Sequence, residues 1–292
     1  MKYSSITILY NPNSTGDSKT NAEELERSLQ EKGLQNIRLI ATKHAGHAED
    51  LAYSLAMASK RPLIISSSGD GGYNEVINGA LRAQAEGASP TTCVIPSGNA
   101  TDHYKQLHRG DTAEHIATGN RHHIDVLTVM TTHKGKTWKR FAHSYIGFGV
   151  TPEISKELNN AELNKRNEMI ISLKSILKSK PFTIIKNEEE QGYQSIVMSN
   201  IAKMGKVLGL AKGAKINDGL FEVFALPESK TFMLGVIVKS ATVGLRYTEQ
   251  THRFEFTTIE EQSVQCDGEV FDIKPDAQVV VGIEKRRLAC IV

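Results

Sequence analysis

Residues 63–79 read LIISSSGDGGYNEVING, and this stretch decides how the rest of the chain is organised. The apolar run at Leu63, Ile64 and Ile65 is typical of a buried strand. Residues 69–72 include three glycines, and the apolar residues after them have helical spacing: Tyr73, Val76, Ile77, Ala80 and Leu81. A strand, a glycine-rich turn and a helix start bring backbone N–H groups within reach of a phosphate. An ordinary turn that needs glycine only for a positive φ explains the same letters, so both interpretations stay open at this point.

Length and composition limit the class of protein. A chain of 292 residues exceeds the usual size of a single core, which predicts two domains. The net charge of +2 argues against nucleic acid as a partner, because a polyanion is bound by a strongly basic surface. Three widely separated cysteines favour a reducing compartment over a disulfide framework. We find no signal peptide or transmembrane segment and expect a cytoplasmic protein, one that can still visit a membrane surface.

Predicted strands and helices alternate along the first part of the chain. The strands are expected at residues 6–10, 37–41, 63–65 and 93–95. This alternation predicts a three-layer α/β domain with a mostly parallel sheet. Polar loops that follow such strands converge at the carboxyl edge of the sheet, where ligands bind. These loops are residues 11–16, 42–46, 66–72 and 96–99. Two capping-box patterns predict helix starts: Thr20 with Glu23, and Asp111 with Glu114.

The pattern changes after residue 121. An alternating run at 124–130, a turn at 133–136 and a second run at 141–146 predict a β-hairpin. A helix is predicted over residues 162–179. Short strands are expected at 182–186, 195–200, 220–226, 253–258, 263–265 and 278–283. This second part is therefore predicted to be an antiparallel all-β sandwich or barrel, with the domain boundary near Asp125.

Asp70 is the first candidate for chemistry. A carboxylate in a phosphate loop repels a bare polyphosphate, but it can hold a ribose hydroxyl or a Mg²⁺ ion that itself binds phosphate. An aspartate that only bonds its own turn is the alternative. The chain contains no GxxxxGK[ST] sequence and no GxGxxG sequence, which argues against a P-loop NTPase and against that dinucleotide fingerprint.

Two further acidic turns are candidates. Asn217-Asp218-Gly219 precedes a predicted strand, and a carboxylate beside backbone carbonyls can bind Mg²⁺. In the second turn, Asp267-Gly268-Glu269, one acid can act as a general base toward a hydroxyl while the other orients it or holds a metal. Each sequence alone is also an ordinary turn, so neither decides the chemistry by itself.

Taken in order, these pieces resemble the diacylglycerol kinase catalytic-domain family, which includes bacterial lipid kinases and sphingosine kinases. The resemblance extends from about residue 6 to residue 284. The family's GGDGTxNE pattern appears as SGDGGYNE at 68–75, with Ser68 for glycine and Gly72 for threonine. Its LPxGTxND pattern appears as IPSGNATD at 95–102, with Asn99 for threonine and Thr101 for asparagine. The other matching pieces are NPNSTG at 11–16, Thr42 before GHA at 46–48, NDGLFEV at 217–223 and CDGE at 266–269.

The resemblance implies a two-domain kinase, with an NAD-kinase-like α/β domain and ATP in the cleft between the domains. It implies a structural Mg²⁺ held by Asp218 with carbonyl oxygens near Lys215 and at Leu220, and a base for a lipid hydroxyl supplied by Asp267 and Glu269. The implied nucleotide-binding residues are Asn11, Thr42, Ser68, Gly69, Asp70, Gly71, Gly72, Tyr73, Asn74, Glu75 and Asn99. The C-terminal segment is expected to return to the first domain, which gives domains of 1–124 with 282–292 and of 125–281.

The resulting hypothesis is an ATP- and Mg²⁺-dependent kinase that transfers the γ-phosphoryl group to a hydroxyl of a lipid such as diacylglycerol. The lipid would be presented at a membrane surface, with the protein cytoplasmic and peripheral at the inner membrane. One alternative is a kinase of a soluble metabolite, because NAD kinases share a Gly-Gly-Asp-Gly loop. Another is a non-catalytic nucleotide-binding regulatory protein, because the two nucleotide motifs contain four departures. The lipid acceptor, the triphosphate and the formation of a homodimer stay open.

Overall fold

The chain forms two compact units, Met1–Ile124 with Arg286–Val292 and Asp125–Lys285. The computed structural model describes residues 2–14, 16–98, 101–108, 110–159, 175, 178–204, 208–209, 214–229, 235 and 248–292. No helix among these residues has the length and apolar character that crossing a bilayer requires.

The first part of the chain alternates strands and helices, as predicted. Its elements are β1 (Ser5–Tyr10), α1 (Ser18–Glu31), β2 (Ile37–Ala41), α2 (His47–Met57), β3 (Pro62–Ser68), α3 (Asp70–Ala85), β4 (Thr91–Pro96), α4 (Asp102–Leu107) and α5 (Thr112–Thr118). The strands lie in the order β2-β1-β3-β4 and every neighbouring pair is parallel. The parallel sheet is therefore confirmed, and the loops after its strands share one edge.

One face of this sheet is covered by α1 and α5. Leu25 and Leu29 of α1 and Ile116 of α5 pack with alternate residues of the strands in one buried cluster. Burying a leucine or isoleucine side chain stabilises the fold by about 1.5–3 kcal/mol. Helices α2 and α3 pack closely together, because Gly79 leaves room: a Cβ on it would lie 2.1 Å from the Glu49 carbonyl oxygen. These contacts hold the carboxyl ends of the strands in place.

The helix starts in this unit are only partly those predicted. Helix α5 begins as expected, because the Asp111 side chain accepts a hydrogen bond from the Ala113 N–H at 2.9 Å. The capping box at Thr20 is wrong, since α1 begins at Ser18 and Thr20 lies inside it. Helix α4 was not predicted, because its N-terminus is capped by a side chain that is distant in sequence.

The second part of the chain is rich in strands. Its elements are β5 (Arg121–His133), β6 (Lys136–Ala142), β7 (Tyr145–Gly149), α6 (Val150–Asn159), β8 (Phe182–Lys186), β9 (Glu189–Ser199), β10 (Lys203–Met204), β11 (Leu208–Gly209), β12 (Phe221–Pro227), β13 (Glu249–Thr251), β14 (Arg253–Thr258), β15 (Gln262–Cys266), β16 (Glu269–Ile273) and β17 (Gln278–Ile291). Strands β16-β15-β7-β9-β8-β14-β17 are consecutive neighbours. The pairs among β7–β9 and β12–β17 are antiparallel, so the fold class of an α/β unit followed by a β-rich unit is confirmed.

Two details of the second part differ from the prediction. The β5–β6 hairpin is present, but the predicted strand at 141–146 is wrong, because β6 ends at Ala142 and β7 begins at Tyr145. The break falls on His143 and Ser144, whose backbone N–H groups are taken by a buried carboxylate described below. The helix predicted over residues 162–179 lies largely outside the described residues.

Candidate active site

The glycines of the 68–75 motif do not adopt a backbone conformation that requires glycine. Helix α3 begins at Asp70, so Gly71 and Gly72 already lie in its first turn. Gly69, Gly71 and Gly72 are all absent from the positive-φ region. The interpretation as a turn that needs positive φ is therefore wrong for these three residues, and another reason for glycine must exist.

A close approach of two backbones explains the glycine at position 98, which lies against Gly69. A Cβ on Gly98, in the loop after β4, would lie 2.5 Å from both the Cα and the N of Gly69. Real Cβ atoms do not approach backbone atoms this closely, so Gly98 must remain glycine while the loops keep their positions. The loops that follow β3 and β4 are thus in direct contact, as the convergence of loops predicted.

The reason at Gly72 is the side chain of Ser68. A Cβ on Gly72 would lie 2.7 Å from Ser68 Oγ and 2.8 Å from Ser68 Cβ, and no other described atom outside its own helix turn lies within 4 Å. Ser68 Oγ is held by Ser66 Oγ at 2.7 Å and by the Gly69 carbonyl oxygen at 2.9 Å. The two departures from the family pattern are therefore linked. The Ser68 side chain fills the space that a side chain at position 72 would occupy.

We predict that Gly72→Thr lowers the free energy of unfolding by about 1–3 kcal/mol, as overpacking of a tight site does. Ser68→Gly introduced into the same chain should recover most of that loss, because it removes the only atoms in the way. Chemical denaturation of the wild type, both single variants and the double variant measures the coupling, expected at about 0.5–3 kcal/mol. Effects that simply add would contradict the shared-space interpretation.

The two carboxylates of the motif cap helices. Asp70 is 3% exposed, and it accepts hydrogen bonds from the Asp102 N–H at 2.9 Å and the His103 N–H at 3.3 Å, at the start of α4. Glu75 accepts from the Gly46 N–H at 2.7 Å and the Ala48 N–H at 3.1 Å, at the start of α2. Both acids thus satisfy N–H groups that a helix start leaves unpaired. Asp70 therefore holds the start of α4 and the loop after β4 in place. A direct contact of Asp70 with ribose or Mg²⁺ stays a prediction.

Buried hydroxyls join three of the loops. Ser18 Oγ donates to the Ser67 carbonyl oxygen at 2.6 Å, and Ser67 Oγ donates in turn to the Ser18 carbonyl oxygen at 2.7 Å. Ser67 Oγ also lies 2.8 Å from Ser97 Oγ, which accepts from the Asn21 amide at 2.9 Å. Because buried hydroxyls are costly when unpaired, this network fixes the start of α1 relative to the ends of β3 and β4.

The other residues implied for the nucleotide lie at different depths. The Asn74 side chain is fully buried and bonds Asn78, and the Tyr73 hydroxyl lies 2.9 Å from Thr92 Oγ1 in the core. Asn11 is exposed and its side chain accepts from the Asn13 N–H, whereas Thr42 is half-buried at the end of β2. Asn99 lies outside the described residues. Within 66–75 only the three glycines and Glu75 are partly exposed, and the Glu75 carboxylate is occupied by the start of α2.

The turn implied for Mg²⁺ is organised by Asp125. The Asp125 N–H donates to the Ile216 carbonyl oxygen at 2.8 Å, and the Asp125 carboxylate accepts from the Gly219 N–H at 2.6 Å. Asp218 and Lys215 are exposed, and Asp218 accepts from the Leu220 N–H at 3.0 Å.

The chemistry of this turn fits a hard, hydrated cation. One exposed carboxylate among backbone carbonyls is a donor set that Mg²⁺ accepts when it keeps several waters. The described residues contain no group of three histidine, cysteine or acidic side chains that would hold a metal without such water.

Burial raises the pKa of Glu222 beside the turn, and the Asp218 charge adds to that rise. The Lys285 side chain lies against Gly219, and its ammonium adds a positive charge at the same turn.

Asp267 is fully buried. Its carboxylate accepts from the backbone N–H groups of His143 at 2.7 Å, Ser144 at 2.9 Å and Tyr145 at 3.0 Å. The backbone of Asp267 has φ +50° and that of Gly268 has φ +102°, which suits a two-residue hairpin between β15 and β16. This carboxylate is an anchor for the 143–145 segment, and a substrate has no access to it.

Glu269 differs from Asp267 in exposure. It is half-buried at the first position of β16, where it pairs with Cys266 across the hairpin. Burial raises the pKa of the Cys266 thiol, and the Asp267 and Glu269 charges add to that rise, so the thiol stays protonated. Of the two acids implied as the base, only Glu269 is partly exposed to solvent.

Sequence reasoning missed His143, Ser144 and Asp125. His143 is a single histidine without metal-ligand spacing, so the letters around it indicate no role. A polar pair inside an apolar alternation, between Ala142 and Tyr145, was the signal available for a strand break. No comparable signal marks Asp125, which was noted only as a boundary.

Comparisons with known proteins agree with the motifs. The family model for the diacylglycerol kinase catalytic domain matches residues 5–129. A diacylglycerol kinase from Bacillus subtilis strain 168 is 24% identical over 291 residues, which cover 92% of this chain and 90% of that protein. A crystal structure of a diacylglycerol kinase from Bacillus anthracis strain Sterne shares the fold, with a TM-score of 0.74 and 19% identity over 100% of this chain and 97% of that one. Residues 5–129 therefore resemble the diacylglycerol kinase catalytic domain, and the chain as a whole shares the fold of the Bacillus anthracis protein.

Proposed function

We propose that this protein is an ATP- and Mg²⁺-dependent kinase that transfers the γ-phosphoryl group to a hydroxyl of a lipid such as diacylglycerol. The observation that carries the proposal is the contact of Gly69 with Gly98, which leaves a backbone-lined surface beside the N-terminus of α3. Backbone N–H groups at a helix start favour phosphate, and the absence of side chains lets a phosphate approach them. The lipid would be met at the surface of the inner membrane.

The roles of the motif acids follow from their contacts. Asp70 and Glu75 would act by holding α4 and α2 in place around the nucleotide. Mg²⁺ would be held by Asp218 with carbonyl oxygens near Lys215 and at Leu220. When bound, the Mg²⁺ ion would add positive charge near the nucleotide phosphates, beside that of lysines and helix N-termini.

Glu269 is the proposed general base. The acceptor hydroxyl would give its proton to the Glu269 carboxylate while its oxygen bonds the γ-phosphorus. The bond from that phosphorus to the β–γ bridging oxygen breaks, and ADP leaves. In phosphoryl transfer the protein acts mainly by positioning the reactants. A positioned general base contributes about 10²–10⁴-fold to the rate.

The proposal predicts that Glu269→Gln lowers kcat about 10²–10⁴-fold while the protein stays folded, because it removes the proton acceptor and keeps the shape. The measurement is transfer of labelled phosphate from ATP to diacylglycerol in mixed micelles, with and without Mg²⁺. The matched control is Glu260→Gln, the same change at an exposed position between β14 and β15. Full activity of Glu269→Gln would exclude it as the base.

The acceptor class is tested in the same assay. Incubation with a total lipid extract and, separately, with soluble metabolites including NAD distinguishes a lipid kinase from a kinase of a soluble acceptor. Calorimetry with ATP and Mg²⁺ distinguishes both from a regulatory protein, which would bind nucleotide without turnover on any acceptor.

A further inference from the structure

A buried polar chain contacts the turn that leads to the proposed base. His143 is fully buried between the carboxylate of Asp267 and the hydroxyl of Ser144. Its Nε2 lies 3.3 Å from Asp267 Oδ2, and its Nδ1 lies 2.7 Å from Ser144 Oγ. All three side chains are completely inaccessible to solvent, so no substrate reaches them.

We propose that His143 is a positioning residue, which sets the Asp267-Gly268 turn and through it the place of Glu269. This inference rests on the proposed role of Glu269 as the base. It differs from that role because His143 touches neither substrate nor reacting atoms.

The contacts of the imidazole ring place a hydrogen on Nε2. Asp267 can only accept, so Nε2 carries the hydrogen that points toward it. Nδ1 is paired with the Ser144 hydroxyl, which can either donate to it or accept from it. Both ring nitrogens then have a partner, and a buried network with every member satisfied holds a single geometry. The ring thus locks one oxygen of Asp267 in place.

The locked carboxylate fixes the turn that leads to Glu269. Asp267 holds a left-handed backbone conformation that residues other than glycine adopt at a cost, with φ +50°. Three backbone N–H groups and the imidazole stabilise its side chain against that cost. Glu269 is two residues further on, and Cys266↔Glu269 is the pair that closes the hairpin. A change at His143 should therefore reach the base through two residues of backbone.

The test uses two amides of different length in the diacylglycerol assay. His143→Gln places an N–H donor near the position of Nε2, toward Asp267. His143→Asn places one near Nδ1, toward Ser144, and leaves Asp267 without its side-chain donor. We expect His143→Asn to lower kcat about 10²-fold, the effect of a misplaced catalytic group, with the KM for ATP unchanged. His143→Gln should restore most of that loss.

The same variants in the Glu269→Gln background separate positioning from plain stability. If His143 acts through Glu269, His143→Asn has no further effect on kcat once the base is gone, because residues that act as a unit are not additive. A full additional loss, or a rise in the KM for ATP that matches the fall in kcat, would overturn the inference. If His143→Asn does not fold, Ser144→Ala, expected to lower kcat without changing the KM for ATP, replaces it in the same comparison.

A measurement that does not depend on catalysis distinguishes the role of His143 from the role of Glu269. Nitrogen NMR of the folded wild type should show a hydrogen on Nε2 of the His143 ring, and a ring without a hydrogen on Nε2 would overturn the inference. Full activity of Glu269→Gln would instead remove the base, and with it this role for His143, while leaving the hydrogen-bonded chain as observed.

Discussion

Replacing Asp267 with alanine should lower the free energy of unfolding of the protein by about 3–5 kcal/mol, the range expected when one partner of a buried polar network is removed. The loss is large because three backbone N–H groups, those of residues 143–145, would lose the acceptor that they share. Each buried donor left unpaired costs about 1–3 kcal/mol before the surroundings relax. Urea denaturation followed by circular dichroism measures the change.

Two variants sharpen this experiment. Asp267→Asn keeps the shape and one acceptor oxygen but turns an amide N–H₂ toward donors, so its loss should be smaller than that of alanine. Asp272→Ala removes an exposed aspartate from the same hairpin, and its contacts with Lys156 and Ser263 lie at the surface. Exposed pairs contribute about 0–1 kcal/mol, so this control should unfold almost as the wild type does. Equal losses for Asp267→Ala and Asp272→Ala would contradict the anchoring role.

Gly98→Ala should lower the affinity for ATP by at least about tenfold, which corresponds to about 1.4 kcal/mol. The new methyl group would meet the Gly69 backbone at 2.5 Å, and backbone atoms cannot rotate away as a side chain can. One of the two loops must move, and the surface proposed to receive the phosphates moves with it. Overpacking of this kind also costs about 1–3 kcal/mol of stability. Isothermal calorimetry with ATP and thermal unfolding measure the two effects.

The control for Gly98→Ala is the same change where space is open. A Cβ on Gly235 would meet no described atom within 4 Å, and its φ is not positive. Gly235→Ala should therefore leave ATP affinity unchanged. ATP binding by Gly98→Ala as tight as that of the wild type would show that the contact between the loops does not shape the nucleotide site.

Hydrophobic periodicity predicted several strands of both units well because its signals are local. The strands at 37–41, 182–186 and 253–258 have the predicted bounds, since each is an apolar or alternating run between clear turn formers. Strand β17 was predicted to end at residue 283 but extends to Ile291. Its polar residues from Glu284 to Arg287 interrupt the apolar pattern, although the strand continues through them.

The elements that were missed depend on partners distant in sequence. Helix α4 is six residues long and begins where Asp70, 32 residues earlier, accepts its N–H groups. The break between β6 and β7 exists because Asp267, 124 residues after His143, holds the backbone there. No pattern within a short window contains these partners, so a single sequence predicts neither feature.

The motifs located the candidate site but did not assign its roles. Sequence reasoning grouped Asp70 with ligand contacts and Asp267 with the base, because acidic residues in loops so often face a ligand. Both side chains are buried and accept backbone N–H groups instead. Burial and hydrogen-bond direction, which the letters do not carry, separate Asp267 from Glu269.

The shared space of Ser68 and Gly72 bears on how departures from a motif are counted. Scored position by position, the chain differs from the family pattern twice within eight residues, and each difference weakens the match. In three dimensions the side chain missing at position 72 is replaced by the side chain present at position 68. The two differences therefore count as one compensated change. A history that changed one residue at a time had to pass through either a crowded or a hollow loop. In related sequences, a small residue at one of these positions should therefore predict a larger one at the other.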